Sequence, residues 1–173
     1  MNEPILNVAI GRTWQHAATE EEKSALVADV MANLTAEGIV LINGDPWPTN
    51  GSLAYFSFSD RRLGPADNQR TNYLVAAVNR ESGYGALVWF VTPGFPRSGD
   101  IYDYAWVSDN PEPPGFDPRV VADPDNSEFQ EPRNTLPLPV IRAALEEFAR
   151  TGTGDRPESI KWAPSGLTGK RLD

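Results

Sequence analysis

Apolar positions recur along the chain with two different periods, and these periods predict its helices and strands. The clearest helical pattern lies near the C-terminus, where one face carries apolar residues three and four positions apart, namely Ile141, Ala144, Leu145 and Phe148. Pro137 and Pro139 suit the entry or first turn of this helix, because the N–H group that proline lacks has no partner there. Gly152 supplies the left-handed residue that ends the helix. Ile160 and Trp162 then alternate with polar residues, which predicts a strand with one buried face.

A second helix is predicted near the N-terminus. Thr19 and Glu22 form a capping-box pattern, with a hydroxyl at the N-cap and a carboxylate three residues later. The apolar residues that follow have helical spacing: Leu26, Val27, Val30 and Leu34. Gly38 is predicted to end this helix. Residues 14–16, just before it, are predicted to be a loop.

The remaining apolar runs predict strands at residues 5–12, 39–42, 53–59, 73–78, 85–91 and 101–107. The segment between the fourth and fifth of these runs contains Gly83 and suits a hairpin loop. The nearly continuous apolar character of residues 73–78 and 85–91 places them at the centre of the sheet, covered by helices. Residues 39–42 are also predicted to be a central strand, and residues 43–51 a loop. The predicted fold is one α+β domain over residues 1–173, with a mostly antiparallel sheet of about six strands and two main helices.

Residues 109–131, which we call the acidic segment, differ from the rest of the chain. The segment holds seven acidic residues and one basic residue, Arg119, together with five prolines. Proline and charge at this density exclude a helix and an inner strand, so a long loop is predicted. Aromatic residues flank it, and aromatic anchors ringed by polar residues are typical of binding hot spots. A solvated loop whose aromatic side chains pack back on the core explains the same pattern.

The acidic segment and its flanks supply the candidate partner-binding residues. These are Tyr102, Asp103, Tyr104, Trp106, Asp109, Glu112, Phe116, Asp117, Asp123, Asp125 and Glu128.

The charge balance narrows the class of partner. The chain has 24 acidic and 15 basic residues, for a net charge of −9. Such a surface repels nucleic acid, whose affinity comes largely from Lys and Arg at the phosphates, and it suits a basic partner. No apolar run reaches the roughly 18 residues that a membrane helix needs. With no cysteine and no signal-peptide pattern, the expected location is the cytoplasm.

Residue types that carry enzymatic chemistry are sparse. His16 is the one histidine, and nothing around it suggests a nucleophile, so it is interpreted as a surface loop residue. Residues 123–128 resemble a calcium loop but lack its required Gly and Glu, and no zinc ligand set exists. No phosphate-binding loop is complete, so no cofactor, metal or catalytic residue is predicted. Lys170 and Arg171 are expected to form a short polar tail.

The C-terminal helix and strand carry a family resemblance. The helix contains Leu-Glu-Glu-Phe at residues 145–148, and Thr-Gly, Arg-Pro and a strand closing on Trp162 follow in order. This series resembles the C-terminal signature of the immunity protein 1 family of bacterial polymorphic toxin systems. The glycine-then-apolar strand beginning at Gly85 is similar to one that family members carry mid-chain. The acidic segment matches no family motif.

The resemblance implies a non-enzymatic α+β protein that binds and neutralises a cognate toxin, commonly a nucleic-acid deaminase. An acidic surface that covers the toxin's substrate groove would deny entry to nucleic acid without any chemistry. Two alternatives remain open, a small carboxylate-dependent enzyme and a general protein-interaction module. An enzyme is expected to show a concave pocket with convergent carboxylates of perturbed pKa, and an immunity protein a flat or convex acidic surface without such a pocket.

Overall fold

A computed structural model describes residues 3–11, 13–34, 39–40, 46–47, 53–67, 72–126 and 128–173. Its two α-helices are α1 (Glu20–Asn33) and α2 (Leu138–Thr151). The strands in chain order are β1 (Ile5–Ile10), β2 (Thr13–Ala17), β3 (Ile39–Val40), β4 (Pro46–Trp47), β5 (Ala54–Ser59), β6 (Asn72–Asn79), β7 (Tyr84–Val91), β8 (Ala105–Asp109), β9 (Val121–Asp123), β10 (Glu128–Phe129), β11 (Leu136–Pro137) and β12 (Lys161–Ser165). Short 3-10 helices occupy Asp100–Asp103 and Pro132–Asn134.

One large antiparallel sheet organises the described part of the chain. Its strands lie in the order β12-β8-β7-β6-β5-β1-β2, and the two-residue strand β11 also pairs with β7. Strands β6 and β7 form the predicted hairpin in continuous register from Asn72↔Val91 to Asn79↔Tyr84. The α+β class is confirmed, with more strands than the six expected. None of the described helices is long and apolar enough to span a membrane.

The two faces of this sheet are covered by different parts of the chain. On one face, which we call the helix face, α1 and α2 pack against β-strand residues that include Phe56, Leu74 and Trp89, all fully buried. On the opposite face, which we call the second face, Val75 and Val88 lie in a separate core cluster. Val120 and Val121 of the acidic segment belong to this cluster too, and the partly buried Phe129 packs against it. Helices were expected to cover the sheet centre, and this is correct for one face only.

Local sequence signals place both helices. The Glu22 N–H donates to Thr19 Oγ1 at 3.1 Å, and Glu22 Oε2 accepts from the Thr19 N–H at 3.1 Å, which confirms the capping box. Helix α2 begins directly after Pro137 and ends at Gly152, whose φ of 67° lies in the left-handed region. Helix α1 ends earlier than predicted, at Asn33, and the predicted terminator Gly38 lies outside the described residues.

Three predicted elements differ from the structure. Residues 14–16, predicted to be a loop, lie in β2, because backbone pairing with β1 satisfies their hydrogen bonds. The prediction of a central strand at residues 39–42 is wrong for residues 39 and 40, the two that the structure describes. Its first two residues, β3, pair only with β4 in a separate two-stranded sheet, and residues 41 and 42 lie outside the described residues. The predicted strand at 101–107 begins with a 3-10 turn and becomes extended only at β8.

Candidate functional site

The acidic segment is anchored to the second face of the sheet. Val120 and Val121 are at most 1% exposed. The Gln130 N–H donates to the Val120 carbonyl at 2.7 Å, and Asn79 Nδ2 on β6 donates to the Pro118 carbonyl at 3.0 Å. Strands β9 and β10 form a short hairpin within the segment. The segment is therefore a covering layer whose two valines are buried while most of its carboxylates face solvent.

A left-handed residue shapes the approach to this hairpin. Arg119 has a φ of 52°, and its N–H donates to Asp117 Oδ1 at 2.9 Å, a side-chain turn that supports the unusual backbone conformation. The Arg119 guanidinium then lies over the Phe129 ring, 4.2 Å from its centroid. This cation–π contact connects the residue before the hairpin to β10.

The predicted aromatic residues near β8 belong to the helix face. Tyr102 packs at 5.9 Å from Trp89, and its hydroxyl accepts a hydrogen bond from Arg97 at 2.8 Å. Trp106 lies against the same core cluster, and its Nε1 donates to the Ile101 carbonyl at 2.9 Å. These two side chains support the fold in this structure.

Two other predicted residues at this end are exposed. Tyr104 is 53% exposed and contacts the edge of Trp106 at 6.0 Å. The exposed Asp103 accepts from the Gly99 N–H at 2.9 Å, which closes the 3-10 turn.

At the other end of β8, the segment starts with a paired carboxylate. Asp109 Oδ1 lies 2.6 Å from Arg171 Nη2, so this predicted partner-binding residue is engaged within the chain. Glu112 and Asp117 are exposed, and Phe116 is 54% exposed with its ring 5.7 Å from that of Tyr84.

The predicted residues therefore form separate groups. Trp106 pairs with Trp89, whereas Phe116 packs on Tyr84, five residues along β7, which corresponds to about 17 Å of extended strand. Asp123, Asp125 and Glu128 lie on the β9–β10 hairpin across the second face.

A cavity of about 600 Å³ opens between the second face and this hairpin. Its floor consists of apolar residues from the strands, and its mouth includes the hairpin and the turn near the C-terminus. The lining residues used below are Tyr55, Val75, Val88, Asp123, Asp125 and Leu167. Sequence reasoning identified the two aspartates but missed the cavity. The signal available was the alternation along β6 and β7, which places a second apolar set away from the helices.

The mouth of the cavity is electrostatically negative. The Tyr55 hydroxyl has its pKa raised first by burial and then by the charges of Asp123 and Asp125. Asp123 accepts from the Asp125 N–H at 3.0 Å and from Asn126 Nδ2 at 2.6 Å, which fixes the hairpin turn. Within the described part of the chain, neither aspartate forms an ion pair.

The cavity corrects the expectation of a flat or convex acidic surface. Its lining combines two carboxylates and a tyrosine with aliphatic side chains, a composition suited to binding. His16 lies elsewhere, on β2, with Nδ1 2.7 Å from Asn7 Oδ1, and burial followed by the Arg62 charge lowers its pKa. In the described ranges, no group of three or more acidic or histidine side chains is arranged to hold a metal ion.

The chain matches one known protein family over most of its length. The family model described as "Immunity protein Imm1" matches residues 15–164. The chain belongs to the Imm1 family of immunity proteins. The matched range includes both helices and the whole acidic segment. No curated protein and no solved structure gives a match. Membership in Imm1 supports an immunity role with a cognate toxin as partner.

The residues on which the resemblance rested are structural in this Imm1 protein. Phe148 is fully buried in the helix-face core. The Arg156 guanidinium lies 4.7 Å from the Trp106 ring centroid and 5.8 Å from that of Trp162. Trp162 Nε1 donates to the Pro157 carbonyl at 2.8 Å. The signature residues thus hold α2 and β12 in place.

Proposed function

We propose that this Imm1 protein neutralises a nucleic-acid deaminase toxin by covering its substrate groove with the acidic segment. The observation that carries the proposal is the family match over residues 15–164. A deaminase that acts on nucleic acid needs an open basic groove and a pocket for the displaced base. A protein with a net charge of −9 complements such a groove.

The arrangement of the segment supports this proposal. Its buried Val120 and Val121 hold the backbone against the sheet, so the carboxylates are presented from a fixed layer. Four exposed carboxylates of the segment form no ion pair in the described structure: Glu112, Asp117, Asp125 and Glu128. Preorganised charges speed association and fix register without ordering a loop on binding. The protein needs no chemical step to act in this way.

The experiment is co-purification with the product of the adjacent upstream gene, the expected cognate toxin, followed by titration calorimetry at low and high salt. Tight stoichiometric binding that weakens as salt rises supports an acidic interface, because salt screens exposed charges. A deamination assay on an oligonucleotide then measures inhibition. Absence of binding by the folded protein removes the immunity proposal for that toxin.

Two charge-reversal variants test whether the acidic segment forms the interface. One variant carries Lys at Asp117, Asp123, Asp125 and Glu128. Its control carries Lys at four exposed acids outside the segment, Glu3, Glu21, Asp60 and Glu81, for the same change in net charge. The proposal expects the first variant to lose affinity and inhibition and the control to retain most of both. Equal losses would show that net charge, and not this face, drives binding.

A further inference from the structure

The cavity on the second face has an apolar floor formed by paired residues of two neighbouring strands. Val75 and Val88 are 8% and 4% exposed and lie on neighbouring strands at paired positions. Ala77 and Ala86, also paired, have side chains too short to fill the space. Cavities of roughly 300–1,000 Å³ bury most of a small ligand, and this one measures about 600 Å³.

Two large apolar side chains at the opening of the cavity are exposed to solvent. Leu167 is 65% exposed and Tyr55 is 38% exposed, and both border the opening. Large apolar side chains beside a concave apolar floor are typical of a binding position. The occupant must therefore present apolar surface.

The charge at the lip restricts the occupant further. Asp123 and Asp125 are the charged side chains among the described lining residues, and both are acidic. Neither has a cationic partner in the described part of the chain, whereas Asp109 of the same segment pairs with Arg171 at 2.6 Å. A purely apolar occupant would desolvate the two aspartates without replacing their water. An anionic occupant would be repelled.

One chemical group satisfies both requirements. Lysine and arginine side chains combine a long apolar stem with a cationic head, so the stem contacts apolar surface while the head meets carboxylates. Arginine also presents a planar fork of donors that matches carboxylate geometry.

We propose that this cavity receives a lysine or arginine side chain from a surface loop of the toxin. Its stem lies on Val75 and Val88, and its head group lies between Asp123 and Asp125. This inference rests on the proposed function, because the occupant belongs to the toxin. It makes the cavity the anchor of the interface and leaves the other exposed acids to steer association.

The first test separates a specific pocket from general acidity. Asp125→Lys and Glu112→Lys are exposed substitutions in the same segment with the same change in charge, and only Asp125 lines the cavity. We expect Asp125→Lys to weaken toxin binding by about thirtyfold or more and Glu112→Lys by only about threefold. Equal weakening by the two variants, or no weakening by either, overturns the cavity assignment.

A second test blocks the space without changing charge. Ala122 lines the cavity and is partly exposed, so Ala122→Trp fills the opening from its edge. Ala143→Trp adds the same volume on the exposed side of α2 as a control. Thermal unfolding checks that both variants fold. Retained toxin affinity in a folded Ala122→Trp variant contradicts the inference.

A third test does not depend on the toxin. The peptide acetyl-Leu-Arg-Leu-amide is titrated while backbone amide shifts are recorded, and the same peptide with citrulline is the neutral, isosteric control. We expect the arginine peptide to shift the amides of Tyr55, Val75 and Val88, and the citrulline peptide to leave them unchanged. Equal shifts with both peptides, or none with either, overturn the charge-selective pocket.

These arms distinguish the two proposals. If the toxin does not bind the wild-type protein, the proposed function fails while the peptide result still decides the cavity. If the toxin binds equally well to the wild-type, Asp125→Lys and Ala122→Trp proteins, the cavity assignment fails and the immunity function remains.

Discussion

The Arg171 guanidinium lies 2.6 Å from the carboxylate of Asp109, which is 62 residues earlier in the chain. The Arg171 side chain is 4% exposed, so this pair is mostly shielded from water. Arg171 Nε also donates to Asn134 Oδ1 at 2.6 Å, and Nη2 donates to the Arg133 carbonyl at 2.9 Å. Arg171 was expected to lie in a polar tail. It instead bonds to Asp109, where the acidic segment begins, and to Arg133 and Asn134, just after it ends.

Arg171→Ala should destabilise the protein by about 2–3 kcal/mol, because it leaves Asp109 and Asn134 without their partner. Urea unfolding measures the loss. Lys170→Ala changes the exposed neighbour and is expected to stay within about 0.5 kcal/mol of the wild type. Similar effects from the two variants would mean that the Arg171 contacts contribute little.

Gly154→Ala should cost more than Gly152→Ala, although both glycines have positive φ, 75° and 67°. At Gly152 an added Cβ stays 3.4 Å from the nearest atom, so the cost is the left-handed backbone, about 1 kcal/mol. At Gly154 the same Cβ would lie 2.5 Å from Oδ1 of the buried Asn72, so this amide must move.

The movement would also disturb the bond from Trp89 Nε1 to the Gly154 carbonyl, which measures 3.0 Å. We therefore expect Gly154→Ala to cost roughly 2–3 kcal/mol in total, measured by chemical unfolding followed through tryptophan fluorescence. Equal costs at the two glycines would contradict the predicted clash.

Arg156→Lys should lower the free energy of unfolding by about 1 kcal/mol despite keeping the charge. A planar guanidinium stacks on Trp106 at 4.7 Å, whereas an ammonium makes no such planar contact. Burial lowers the pKa of Arg156, and the charges of Asp100 and Glu158 oppose that shift. Arg150→Lys, on the exposed side of α2, is the matched control and is expected to be neutral. A neutral Arg156→Lys variant would show that the stacking adds nothing beyond charge.

Stability should decrease as the pH falls from about 7.5 to about 5.5, in part through His16. Burial, and then the Arg62 charge, lower the pKa of His16 from its ordinary 6.5. At pH values between the lowered pKa of folded His16 and its ordinary pKa, the unfolded chain binds more protons than the folded chain. The contribution of neutral His16 to stability is therefore present above pH 6.5 and is lost as the pH falls.

The His16→Gln variant should show a shallower pH dependence in this window, measured by chemical unfolding at both pH values. Glu22 and Asp67, whose pKa values are lowered from 4.5 and 3.8 mainly by backbone N–H donors, lose their contributions only at lower pH. An unchanged slope in the variant would exclude His16 as the source.

Local signals in the sequence were sufficient for the helices and the central hairpin. The Thr19 capping box, the apolar stripe that ends at Phe148 and the left-handed Gly152 act over a few residues, so each appears as a short pattern. The apolar runs of β6 and β7 were identified for the same reason. The family resemblance rested on such local elements around α2, and the Imm1 match confirms it.

Contacts between distant residues decided the rest. Residues 14–16 carry no strong strand pattern and become β2 because β1 offers its free edge. Asp109 resembled any other acid of the segment until Arg171 was placed beside it. The partner-binding assignments along the segment stay predictions, and the structure divides them between two faces and two ends of the sheet.

The sequence by itself determined the fold class, both helices and the acidic character of this protein, because period, capping and charge are properties of neighbouring residues. Only the tertiary structure decided which face the acidic segment covers and which of its carboxylates lie at the cavity. A cavity is a relation between surfaces far apart in the chain. Asp123 and Val75 come together only because the segment packs across the sheet on buried Val120 and Val121.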